Sequence, residues 1–181
     1  MWIDSALTVD VVTSKTLASA GRLYRFRNSS RLTLGGWANP YGDPARQVDY
    51  MADDCFHAEY YLTQIVSHLN VAPVERFVNE TVRRGMGKPG MFGVFYYRSA
   101  NPKTLAALSQ FLPVPVEGLS HEFAEGATPI DVCARTLRAM MDVGARHFYI
   151  SNLPLDSAAS TLGEILDRIG VGRQQAAGGL K

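Results

Sequence analysis

Four short apolar runs, each followed by a stretch with helical spacing, constrain this chain more than any other feature. The runs are Leu32–Gly36, Tyr60–Val66, Met91–Tyr97 and His147–Ser151. They are rich in β-branched and aromatic residues and too short for helices, so they read as strands. Behind the first, Asp43-Pro44 opens a helix, with proline where its missing N–H costs nothing. Behind the second, Val71, Val74, Phe77, Val78 and Val82 fall on one helical face and Gly85 stops it. Behind the third, Asn101-Pro102 caps a helix facing inward through Leu105, Leu108 and Leu112. Residues 114–127 then read as a connection carrying His121. Thr128-Pro129 starts a further helix, with Ile130, Cys133, Leu137, Met140 and Met141 inward and Gly144 at its end. Residues 156–169 form the last, with Leu162, Ile165, Leu166 and Ile169 inward.

Repeated βα units of this kind imply an α/β fold with a parallel sheet and helices packed against it. Leu7, Val9 and Val11 alternate with polar neighbours, so residues 6–13 add a candidate strand in front, and residues 14–28 read as a weak helix or a loop. A complete eight-unit barrel takes about 250 residues, and this chain has 181. Two architectures therefore fit. One is an open doubly wound sheet. The other is a partial (β/α)8 TIM-type barrel of four or five strands, whose sheet edges call for pairing, either in a homo-oligomer or with a partner completing the barrel. The expected organisation is an N-terminal segment or extra strand over 1–31, the βα body over 32–169, and a flexible tail over 170–181.

Composition narrows the functional classes. Apolar residues make up 46% and charged residues 19%, which is enough apolar content for a packed core. A net charge of +1 supplies no attraction to nucleic acid or an anionic membrane. Arg22, Arg25, Arg27 and Arg31 read as a solvated face. Cys55 and Cys133 are far apart and lack ligand spacing, so each reads as a small buried thiol rather than part of a disulfide or zinc site. No apolar run reaches membrane-spanning length, and Met1 to Val12 does not have the pattern of a secretory signal. A reducing cytoplasm is the expected compartment.

In parallel α/β folds ligands collect at the C-terminal ends of the strands. Four polar clusters fall there: Trp37 to Tyr41, including Asn39; Thr63-Gln64 with Ser67 and His68; Tyr96-Tyr97-Arg98-Ser99; and Ser151-Asn152. Gln64 is the most informative. Its amide offers two donors and two acceptor lone pairs inside an apolar strand. Those groups serve either the donor–acceptor edge of a pterin or flavin ring, or neighbouring backbone. Trp37 and Tyr41 suit stacking on a flat ring or anchoring a loop. Arg98 suits a carboxylate or phosphate, or a surface ion pair. His68 and His121 lack a spaced metal partner and read as surface histidines. No phosphate loop, dinucleotide glycine fingerprint or nucleophile elbow is present.

Tyr61-Leu62-Thr63-Gln64 resembles the methylenetetrahydrofolate reductase family, in which a strand ends in Ile-Thr-Gln and the next helix carries Phe-x-x-Arg-Phe. Here that helix contains Val74-Glu75-Arg76-Phe77. Leu34 to Pro40 stands where the family has a strand entering its Tyr-Pro-Glu loop. Asn101 and Lys103 match its Asn-x-Lys, His147-Phe148-Tyr149 its His-Phe-Tyr strand, and Asn152 the Asn three residues later. The resemblance covers residues 32–169, the C-terminal part of the family's barrel. It implies folate binding and the reduction of 5,10-methylenetetrahydrofolate to 5-methyltetrahydrofolate, a step of one-carbon metabolism. Hydride would pass from NAD(P)H through FAD. It implies a substrate site at Gln64, Tyr97, Arg98 and Asn152 and a cofactor site at Trp37, Asn39 and Tyr41. The family's catalytic Glu lies on early strands that nothing before Leu32 matches, so the catalytic residue is unassigned. A non-catalytic folate-binding or interaction module is the alternative.

Overall fold

The computed structural model describes Leu7–Thr8 and residues 33–54 and 56–170. The expected helix or loop over 14–28, the arginine cluster, Cys55 and the tail beyond Gly170 lie outside the described residues, as does most of the candidate strand 6–13. Within them the order is β1 (Leu7–Thr8), β2 (Leu34–Ala38), α1 (Pro44–Ala52), β3 (Tyr60–Val66), α2 (Val71–Arg83) and β4 (Gly90–Phe95). There follow α3 (Pro102–Leu108), α4 (Val116–Ala124), α5 (Pro129–Asp142), β5 (His147–Ser151) and α6 (Ala158–Ile169). A 3-10 turn, His68–Asn70, joins β3 to α2.

Strands β2 to β5 form one parallel sheet in sequence order, and the two residues of β1 extend it beside β2. A doubly wound sheet reverses its strand order at a switch point. No reversal occurs among the described strands. The fold is α/β with an all-parallel sheet, in the order that consecutive strands of a (β/α) barrel follow.

Helix starts follow local chemistry. Asp43 caps α1 by accepting the Arg46 amide at 2.8 Å, with Pro44 behind it. Asn101 caps α3 through the Lys103 and Thr104 amides, and Thr128 and Asp131 form a reciprocal capping box on α5. One sheet face packs on the helices: Tyr61, Phe92, Val94 and Tyr96 meet Val74, Phe77, Cys133, Leu137, Met140 and Ile165. Burial pushes the Cys133 thiol up to about 12, so it stays a protonated, inert core group.

Several expectations are corrected. The Gly pair does not end the first strand; β2 runs on through Trp37 to Ala38. The glycines are there for space, since a Cβ on Gly36 would lie 2.2 Å from the Phe56 ring and one on Gly35 2.6 Å from Tyr60. Residues 114–127 are not a plain connection, because 116–124 are helical. Val116, Leu119 and Phe123 recur at helical spacing, and Leu119 is fully buried. Val82 and Met141, expected inward, are 74% and 41% exposed. Thr81 takes the inward position beside Val78, its hydroxyl bonding the Val78 carbonyl. On α6, Leu162 lies at the rim while Thr161 is buried. No helix among the described residues is long and apolar enough to cross a membrane.

Candidate functional site

The feature that organises the site is an irregularity in β3. Leu62 pairs with Met91 and Ile65 pairs with Gly93. Three steps along β3 thus match two along β4, and Thr63 and Gln64 together oppose Phe92. This is a β-bulge, a device that re-aims side chains and recurs next to functional sites.

The Thr63 side chain repairs the ladder that the bulge interrupts. Its hydroxyl accepts the Gly93 amide at 3.1 Å and donates to the Gln64 carbonyl at 2.8 Å. Thr63 is fully buried. From β5, the Tyr149 hydroxyl donates to the Thr63 carbonyl at 2.8 Å. Its ring crosses β4 directly over Gly93, where a Cβ would lie 2.4 Å from the phenolic oxygen. Burial raises the Tyr149 phenol, so it remains a donor. The Gln64 side chain is half-buried, and its amide bonds no other described residue.

Around this bulge the strand ends carry the other predicted residues. Asn39 folds the turn after β2. Its side-chain oxygen accepts the Tyr41 backbone N–H at 3.0 Å, and its own backbone N–H donates to Gln47 Oε1 at 2.8 Å. Tyr41 then reaches across to β3 and donates its hydroxyl to the Ile65 carbonyl at 3.0 Å. Burial pushes the Tyr41 phenol up to about 12, opposed by the Ser67 backbone. Trp37 is half-buried on the sheet face turned away from the helices, in register with Leu62.

Tyr97, Arg98 and Asn152 come together at the ends of β4 and β5. They line a cavity of about 350 Å³ with Phe95, Thr104 and Leu108. Asn152 adopts a left-handed backbone, φ 68°, and its side-chain amide donates to the Tyr96 carbonyl at 3.0 Å. Asparagine enters that region more readily than most residues, because its short polar side chain can bond locally. Among the described residues Arg98 does not form the ion pair considered from sequence. Its Nε and Nη2 donate to the Asn152 carbonyl at 3.3 and 3.2 Å, and Nη2 also approaches the Leu153 carbonyl. The guanidinium therefore fastens the turn after β5 to the cavity wall. Tyr97 is buried beside the Phe95 ring, with centroids 4.9 Å apart. Its phenol is held well above the ordinary value, first by burial and then by the nearby Tyr41.

His68 corrects the sequence reading. It is not a plain surface residue but bridges two helices, with Nδ1 2.8 Å from Thr136 Oγ1 and Nε2 2.9 Å from Glu122 Oε1. Arg135 donates to the same carboxylate oxygen at 2.8 Å. This cluster pins α4, the helix missing from the sequence reading, beside the end of β3. His121 is exposed and pairs with Glu125 one turn along the same helix.

Sequence reasoning singled out Gln64 but not the bulge beneath it. Its signal was Gly93 in the middle of a strand, which marks a bulge or a close approach. Among the described residues no three His, Cys, Asp or Glu side chains gather as a metal-holding group. Compared with known protein families and curated proteins, the chain matches no family model and no curated sequence.

Proposed function

We propose that this chain is a small-molecule-binding α/β protein whose ligand is a reduced folate. More particularly, it is of methylenetetrahydrofolate reductase type, taking the 5,10-methylene and 5-methyl forms of tetrahydrofolate that this reduction interconverts. The observation that carries the reading is Gln64. Its backbone is fixed in a bulge at the C-terminal end of a central strand, and its side-chain amide has no bonding partner among the described residues. A pterin edge presents the complementary alternation of donors and acceptors. The half-buried Trp37 ring offers a stacking surface at the same end of the sheet. The cavity with Tyr97, Arg98 and Asn152 suits the remainder of such a ligand, at the lower end of the volumes small-molecule sites have.

The flavin implied by the resemblance fits these residues less well. The Asn39 side-chain oxygen and the Tyr41 hydroxyl already bond within the chain, which leaves the half-buried rings of Trp37 and Tyr41 as the main surfaces of that set. They do not make a polar clamp for FAD.

A second reading is folate binding without turnover. It is favoured by the residues of the cluster itself: Trp37, Asn39, Tyr41, Gln64, Tyr97, Arg98 and Asn152 include no carboxylate or imidazole. The two phenols among them are shifted further from acidity. General acid catalysis near neutral pH needs a group with a pKa close to the working pH. The readings separate in one assay. The full chain is incubated with FAD, NADH or NADPH, and 5,10-methylenetetrahydrofolate, and nicotinamide oxidation is followed by absorbance. Folate-dependent oxidation that Gln64→Ala reduces supports the reductase. Folate binding with no oxidation supports the module.

A further inference from the structure

Gln64 is only as well aimed as the backbone beneath it, and three residues outside the ligand-facing set hold that backbone. We propose that Thr63 is a positioning residue for Gln64, braced by Tyr149 and made possible by Gly93. The inference rests on the folate reading above and deepens it, by naming what sets the affinity of that site.

A regular β3 would place the Gly93 amide opposite a backbone carbonyl. The bulge removes that acceptor, and the Thr63 hydroxyl replaces it at 3.1 Å. The same hydroxyl spends its one proton on the Gln64 carbonyl at 2.8 Å. A threonine hydroxyl thus ties the residue that would ligate to the neighbouring strand. The carbonyl of Thr63 is fixed in turn by Tyr149 at 2.8 Å. Three backbone groups at the bulge, the Gly93 N–H and the Thr63 and Gln64 carbonyls, therefore have side-chain partners that hold the kink.

The alternative to the bulge is a one-residue slip of β3 against β4. Such a slip sends every later side chain to the opposite face. Gln64 would then lose its place at the strand end. Gly93 matters because the Tyr149 ring lies where any larger residue would put its Cβ. Serine retains the Thr63 hydroxyl, whereas valine keeps the shape and removes it.

The test is a binding cycle on the full chain, with 5-methyltetrahydrofolate as the probe and calorimetry as the readout. Thr63→Val is expected to weaken binding about 10-fold or more, through loss of two hydrogen bonds to the backbone. Thr63→Ser is expected to keep wild-type affinity to within about threefold. In a Gln64→Ala background, Thr63→Val should add nothing, since it acts through Gln64. Wild-type affinity in Thr63→Val, or losses that simply add in the double variant, overturn the proposal. If the wild-type chain binds no folate, the functional reading fails and the positioning role is read from amide hydrogen exchange. Exchange at Gly93 should then accelerate about 10-fold or more in Thr63→Val and stay near wild type in Thr63→Ser. Unchanged Gly93 protection in Thr63→Val overturns the proposal independently of any ligand.

Discussion

Gly93 shows how one missing carbon organises the site. The Tyr149 ring passes over it to reach the Thr63 carbonyl, and a methyl group there would meet the ring end at 2.4 Å. Gly93→Ala should therefore push Tyr149 aside and lose its hydrogen bond. The expected cost is about 1–3 kcal/mol, as overpacking in a filled core costs, read as a lower denaturant midpoint at unchanged slope. Wild-type stability in that variant would mean the ring moves away freely. At this scale the sequence was informative about chemistry and silent about geometry. Gln64 stood out because an amide inside Tyr-Tyr-Leu-Thr-Gln-Ile-Val needs partners. Nothing in that run says whether the partners are backbone or ligand, because the answer depends on β4 and β5. Arg98 illustrates the same limit. Its charge pointed to an anion, while the structure gives two of its nitrogens to carbonyls of the turn after β5.

Strands β3 and β5 were readable to the residue, since their apolar runs are bounded by polar or turn-forming neighbours. Three of the helices begin at a side-chain cap followed by proline, and those starts were legible too. Helix α4 was not. Pro115 before it and Gly118 within it argue locally for a loop, and its inward face rests on few residues. Tertiary contacts decide it: Leu119 packs with Tyr97, Leu105 and Val132, and Glu122 meets His68 and Arg135. That last contact carries a pH dependence. Burial pushes the Glu122 carboxyl up, but hydrogen bonds from His68 and Arg135 outweigh it and the net shift is downward from 4.5. A depressed carboxyl contributes stability above its unfolded pKa and loses it as pH falls through the folded one. Wild-type stability should therefore drop as pH falls below about 4.5. Glu122→Gln, which cannot ionise, should be less stable at neutral pH and show a shallower acid limb. Parallel acid limbs for the two proteins, measured by denaturant titration across pH, would contradict this role.

Over the whole molecule, the alternation of strand and helix determined the class, and the described residues carry it as a parallel sheet in sequence order. What the pattern left open, a doubly wound sheet or a run of barrel-ordered strands, turns on strand order, which periodicity does not encode. Among the described strands the order runs without a reversal, as consecutive strands of a (β/α) barrel do. The same order puts every strand's C-terminal end on one side, so residues separated by more than a hundred positions, Trp37 and Asn152 among them, share one end of the sheet. A ligand spanning that end would touch the bulge, the half-buried Trp37 and the cavity beside Arg98. Binding of a reduced folate is the claim on which the rest depends, and calorimetric titration of the full chain with 5-methyltetrahydrofolate, alongside Gln64→Ala, tests it most directly. Saturable one-site binding by the wild-type chain is the expected result. Gln64→Ala should weaken it by about 2 kcal/mol, or about 30-fold in Kd, for two lost amide hydrogen bonds. No heat of binding in the wild-type chain, or equal affinity in both proteins, would contradict it.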